Sequence, residues 1–137
     1  MKKKFRGYIS SRKCLNDFIP QKIQNLVIRD FCQNNNLEYL LSCAEYSMNK
    51  SYVVLKEMIN SIKDVDGIVA FSIFQLPENL KNRTELLKLI ISKNKSFFFA
   101  YEKIFIRSKK DITKLNEIWM IKKSIENKNK PWLSAKK

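Results

Sequence analysis

Ile68-Val69-Ala70-Phe71-Ser72-Ile73 follows the turn pair Asp66-Gly67 and reads as an apolar run interrupted only by Ser72. A strand with one wet face alternates apolar and polar residues, whereas a strand covered on both faces is apolar almost throughout. The run therefore predicts a central parallel strand over 68–73. Parallel neighbours need long crossovers, which are usually helical, and both flanks supply them. Upstream, Val54, Leu55, Met58, Ile59 and Ile62 have helical spacing over 51–63. Downstream, Asn79 can cap a helix that continues to 92.

The same alternation continues outward. Strands are predicted over 5–10, 37–43 and 97–100. A helix over 21–33 has Ile23, Leu26, Val27 and Phe31 on one face, Pro20 at its first turn and Asn34-Asn35-Asn36 at its end. Asp111 opens a last helix carrying Ile112, Leu115, Ile118, Trp119 and Ile125. Ile104-Phe105-Ile106 lies too close to the fourth strand for a parallel crossover, so it predicts a short antiparallel edge. The order βαβαβαβ followed by α predicts an α/β three-layer sandwich with a mainly parallel sheet of four to five strands, flavodoxin-like or resolvase-like. The first two helices must cover opposite faces, which gives the strand order 2-1-3-4. Residues 1–126 form one domain on this reading, and 127–137 a basic tail. Leu115, Ile118, Trp119 and Ile125 form an apolar stripe suited to a homodimer contact or to packing on the chain's own sheet.

The chain has no histidine. Ser-His-Asp and Cys-His hydrolysis, imidazole acid–base work and the usual zinc sites all lose a required group. Cys14, Cys32 and Cys43 are odd in number and widely spaced, which fits reduced thiols rather than a disulfide framework or a metal site. Gly7 and Gly67 are the only glycines, so there is no phosphate loop or dinucleotide fingerprint, and neither a cofactor nor a metal is expected. No apolar run reaches the roughly 18 residues of a membrane span. Charges interrupt any signal-peptide pattern after Lys2-Lys3-Lys4, and the expected compartment is the cytoplasm. The net charge of +14 raises the question of nucleic acid. Lysine far outnumbers arginine and is concentrated at a few places, so the charge reads instead as a solvated surface, and nucleic acid is not the expected partner.

Ligands of open α/β sheets gather outside the carboxyl ends of the strands. In this chain those ends are polar. Ser10, Ser11 and Arg12 follow the first strand, Glu45, Tyr46 and Ser47 the second, Ser72 and Gln75 the third, and Tyr101 and Glu102 the fourth. Gln21 and Gln24 stand near the start of the first helix, whose amides and dipole favour an anion. Ser10, Ser11, Arg12, Gln21, Gln24, Ser72 and Gln75 are the candidate binding residues, and Glu45, Glu102 and Tyr46 the candidate proton carriers. Each also has a structural reading: serines that satisfy turn amides, a glutamine that bonds a loop, and carboxylates in salt bridges.

Two resemblances rest on particular residues. Arg6-Gly7-Tyr8-Ile9-Ser10-Ser11-Arg12, Pro20-Gln21, Gln24-Asn25-Leu26-Val27-Ile28-Arg29-Asp30, Glu38-Tyr39-Leu40-Leu41-Ser42 with Glu45-Tyr46, and Asp66-Gly67-Ile68-Val69 with Phe74-Gln75-Leu76-Pro77-Glu78 resemble the sporadic carbohydrate cluster protein family. That family occurs in bacterial gene clusters for surface polysaccharides such as O-antigen or capsule, so the resemblance implies a pathway and leaves the reaction open. The Gly-Tyr strand and the glutamines opening a helix also resemble the catalytic domain of serine recombinases. In that family an Asp-Arg-Leu-x-Arg segment follows the third strand, but here Gln75 and Glu78 stand where its arginines would hold the transferring phosphate.

The leading expectation joins the site to the first resemblance. It is a cytoplasmic enzyme of the isomerase, epimerase or lyase type, acting on an anionic sugar or nucleotide sugar in surface-polysaccharide biosynthesis. The alternatives are a non-catalytic partner of another enzyme of the cluster and a nucleic-acid-binding, degenerate resolvase-like protein.

Overall fold

The computed structural model describes residues 2–14, 17–45 and 52–128. Its elements in chain order are β1 (Lys3–Ser10), α1 (Gln21–Asn34), β2 (Leu37–Glu45), α2 (Val53–Asn60), β3 (Gly67–Ala70), α3 (Leu80–Ser92), β4 (Ser96–Phe99), β5 (Ile104–Ile106) and α4 (Lys109–Lys128). They form one five-stranded sheet in the order β2-β1-β3-β4-β5. The first four strands pair in parallel and β5 pairs antiparallel to β4. Both features follow the pattern of apolar runs and crossover lengths.

Strand alternation divides the core in two. Phe5, Ile9, Val69, Phe71 and Phe98 meet Ile28, Phe31 and Cys32 of α1 on one face. Tyr8, Ile68, Ala70, Phe97 and Phe99 meet α2, α3 and α4 on the other. All four residues of β3 are buried, as the unbroken run requires. That strand ends three residues earlier than expected, at Ala70, and a 3-10 turn, Ile73–Gln75, follows. The reason is a reciprocal cap: Ser72 Oγ accepts from the Phe74 N–H, while Gln75 Oε1 accepts from the N–H groups of Phe71 and Ser72. Backbone groups that would extend the ladder are satisfied locally.

Other boundaries differ by small amounts with visible causes. Helix α2 stops at Asn60, where the Ser61 hydroxyl donates back to the Glu57 carbonyl at 2.7 Å. Helix α4 starts before Asp111, whose carboxylate accepts from the N–H groups of Arg107 and Ser108 at 2.9 and 3.1 Å. Of the two readings of the α4 stripe, packing on the chain's own core accounts for most of it. Leu115 and Trp119 are buried there with Ile112 and are unavailable to a second copy. Ile125 is exposed, together with Met120 and Ile121. Among the described residues, no helix is long and apolar enough to cross a membrane.

Candidate functional site

The carboxyl ends of β1, β2 and β3 meet in one chain of hydrogen bonds. Parallel pairing sets Ser10 opposite Glu45, after a register shift between Arg6 and Tyr8. Glu45 is fully buried and both its oxygens are engaged. Oε1 accepts from the Tyr8 hydroxyl and lies 3.4 Å from Arg12 Nη1, and Oε2 accepts from the Val54 N–H at 2.9 Å in the first turn of α2. That placement sets the carboxylate at the positive end of the helix. Arg12 Nη2 donates to Tyr8 Oη and to the Gln75 carbonyl, both at 2.8 Å. Its guanidinium stacks on the Tyr52 ring at 4.1 Å.

A second set of bonds continues from Gln75. Its Nε2 donates to Gln24 Oε1 at 2.6 Å, and Gln24 Nε2 donates to the carbonyls of Ser10 and Ile19 at 2.7 and 2.8 Å. Gln24 Oε1 also accepts from the Ser10 N–H at 3.2 Å. At the far end Ser72 Oγ donates to Glu102 Oε2 at 2.5 Å, and Glu102 Oε1 accepts from the Ile73 N–H at 3.0 Å. Ser11 donates through its N–H and its hydroxyl to the Glu45 carbonyl, at 3.1 and 3.4 Å. The sequence-selected residues thus converge on one rim, where they bond largely to one another. Gln21 is half-buried at the first turn of α1. Tyr46 and Ser47 lie outside the described residues.

Electrostatics follow from this closure. Burial raises the Tyr8 hydroxyl far above the ordinary phenol range, and its bond to Glu45 adds to the effect. Burial works against the charge on Arg12, but Tyr8, Tyr52 and Glu45 outweigh it and hold the guanidinium above its ordinary value. Burial raises Glu102, opposed by the bonds from Ser72 and Ile73. Burial also pushes the Cys14 thiol up to about 12, so it is not a thiolate at neutral pH.

Arg12 is not open to solvent, since its side chain is only 12% accessible and is paired with a buried carboxylate. The Tyr8 hydroxyl is likewise buried and is spent on Glu45. Tyr8 and Tyr52, absent from the sequence-derived list, clamp Arg12 between them. The signal for Tyr8 is its place in strand alternation, two residues before Ser10, which points it at the α2 face. Nothing in the sequence marks Tyr52.

Ser10 has the most unusual environment. It is fully buried, and its Oγ is the buried side-chain polar atom without a hydrogen-bond partner among the described residues. An unpaired buried hydroxyl costs about 1–3 kcal/mol. Ser10→Ala is therefore expected to leave the thermal midpoint unchanged or raise it by a few degrees, as read by a circular dichroism melt. A fall would mean that the hydroxyl has a partner.

No family model matches the chain and no curated protein matches it. Solved structures do. The chain is 16% identical to the N-terminal catalytic domain of TP901-1 integrase, with a TM-score of 0.63 over 88% of this chain and 98% of that one. It is also 16% identical to a resolvase family site-specific recombinase from Streptococcus pneumoniae, with a TM-score of 0.60 over 97% of this chain and 99% of that one. At this identity the likeness establishes a shared fold, the resolvase-like α/β sandwich. It also overturns the expectation of a sugar isomerase, epimerase or lyase, together with the anionic sugar or nucleotide sugar as partner and the dismissal of nucleic acid. The chain's structural neighbours are recombination domains, and its rim is filled by its own side chains.

Proposed function

We propose that this chain is a nucleic-acid-binding protein that has the recombinase catalytic fold without the strand-exchange reaction. The observation that carries the reading is the likeness to an integrase catalytic domain and a site-specific recombinase, since recombination is carried out on DNA. A net charge of +14 supports it, because clustered lysines bind polyanions through counterion release. Two features of the rim argue against backbone cleavage. Ser10 is sealed from solvent, and Arg12 is already neutralised by Glu45. Gln75 and the exposed carboxylate of Glu78 occupy the segment where the serine recombinase likeness calls for arginines, and a carboxylate there repels a transferring phosphate. The candidate site residues are on this reading the frame that fixes the rim. The resemblance to the sporadic carbohydrate cluster family is retained as a proposal of kinship alone. A cytoplasmic location accords with this function.

Fluorescence anisotropy of a labelled DNA duplex at increasing salt tests the reading. The logarithm of the binding constant is expected to fall linearly with the logarithm of salt, by about 0.9 per phosphate neutralised. Absence of binding at low salt by the duplex and by a single strand of the same sequence would overturn the proposal, as would an affinity indifferent to salt.

A further inference from the structure

Beside the closed rim lies an open groove of about 950 Å³, bounded by α2, the 76–79 loop, α3 and α4. This is near the upper end of the roughly 300–1,000 Å³ of ligand pockets. Its lining is divided by chemistry. Phe74, Leu76, Leu86 and Leu89 supply an apolar wall, with Trp119 packed against Phe74 and Arg83. Arg12, Lys13 and Lys56 are its basic lining residues on the β1 and α2 side, with the Tyr52 ring under the Arg12 guanidinium. Asn60, Asn79 and Asn82 add amide groups along the side.

The charges there are not equivalent. Lys123 is 3.8 Å from Glu78, Arg12 is held by Glu45, and Glu85 of α3 adds a second carboxylate to the lining. Lys13 and Lys56 are exposed, and among the described residues neither has a carboxylate within ion-pair distance, the Lys13 ammonium lying instead 5.0 Å from the Phe18 ring. A pair of uncompensated ammonium groups beside an apolar and aromatic wall suits a ligand with a negative chain and flat apolar faces. Single-stranded nucleic acid has both, and proteins that bind it combine a basic groove with side chains on which bases stack. A duplex keeps its bases stacked on each other and cannot place one against Phe74 or Tyr52.

We infer that this groove is a binding site for single-stranded nucleic acid, with phosphates at Lys13 and Lys56 and bases against the wall that includes Tyr52 and Phe74. The inference rests on the nucleic-acid reading of the chain and makes it more specific. Nothing in that reading alone favours a single strand over a duplex.

The test uses the full chain carrying Trp132→Phe, which leaves Trp119 as its one tryptophan reporter. Thymidine oligonucleotides of about eight residues, deoxy and ribo forms in parallel, are titrated beside a blunt DNA duplex. Binding of the single strand is expected to change Trp119 emission. Lys13→Glu with Lys56→Glu is expected to weaken single-strand binding by about tenfold or more and to reduce the salt slope by about 1.4, that is about 0.7 for each lost phosphate contact. Lys3→Glu with Lys110→Glu makes the same change in net charge outside the groove and is expected to leave Trp119 responsive and the slope unchanged. Duplex binding with no single-strand effect on Trp119 would overturn the groove and leave the general reading standing, as would equal weakening by the two double variants. Failure of both nucleic acids to bind would overturn the two together.

Discussion

Arg12→Ala is expected to lose about 3 kcal/mol of unfolding free energy, because it leaves the buried Glu45 carboxylate without its cation. Glu45→Ala is expected to lose about 4 kcal/mol. It strands the guanidinium and also removes the acceptor for the Tyr8 hydroxyl and the Val54 N–H. Either loss is a large part of the roughly 5–15 kcal/mol that holds a domain folded. The double variant should lose less than the sum of the two, since each single change already breaks the same pair. Urea denaturation followed by circular dichroism measures all three. A loss below about 0.5 kcal/mol for Arg12→Ala, the size usual for a surface charge, would show that the network does not hold the strand ends together.

Gly67→Ala is expected to be as damaging for a different reason. Gly67 begins β3 between Phe5 of β1 and Ser96 of β4. A Cβ there would press into the Ser96 carbonyl and stand 2.6 Å from the Phe5 ring. The carbonyl is backbone in a neighbouring strand and cannot turn aside, so the sheet itself must shift, at a cost of about 3 kcal/mol. The atoms nearest a Cβ in Gly7→Ala belong to the Tyr39 side chain, which is half-buried and ends in a hydroxyl bonded to Asn25. That side chain can swing, and the expected cost is about 1–2 kcal/mol. Chemical denaturation of the two variants in parallel checks the order. Gly67→Ala folding as stably as the parent would refute the close approach of β4.

Much of the fold was legible because it depends on patterns repeated in every crossover. The apolar run at 68–73 identified the buried strand, and the short gap before Ile104 identified the antiparallel edge. The end of β3 was not legible, since it depends on Gln75 turning back to two N–H groups, which no apolar pattern records. The candidate site was legible as a set of residues, with polar side chains at each strand end. Their partners were not. The register shift between Arg6 and Tyr8 sets Ser10 opposite Glu45, and the shift is a property of two paired strands that neither strand's sequence reveals alone. A rim read as open to a ligand is therefore occupied by Arg12, Glu45 and Gln24. The partner of Trp119 stayed open between two readings for a similar reason. An apolar stripe on a last helix looks the same whether it meets a second copy or the chain's own core.

The central claim, that this recombinase-like fold binds nucleic acid without cutting it, is tested most directly by incubation with supercoiled plasmid. Each reaction is divided, and one half is treated with protease before electrophoresis. The untreated half is expected to show retarded plasmid at low salt and free plasmid at high salt, as counterion release requires. The treated half is expected to show plasmid still supercoiled. Nicked, linear or protein-linked DNA after protease would contradict the absence of strand chemistry, and failure to retard both the plasmid and its heat-denatured single strands at low salt would contradict binding itself.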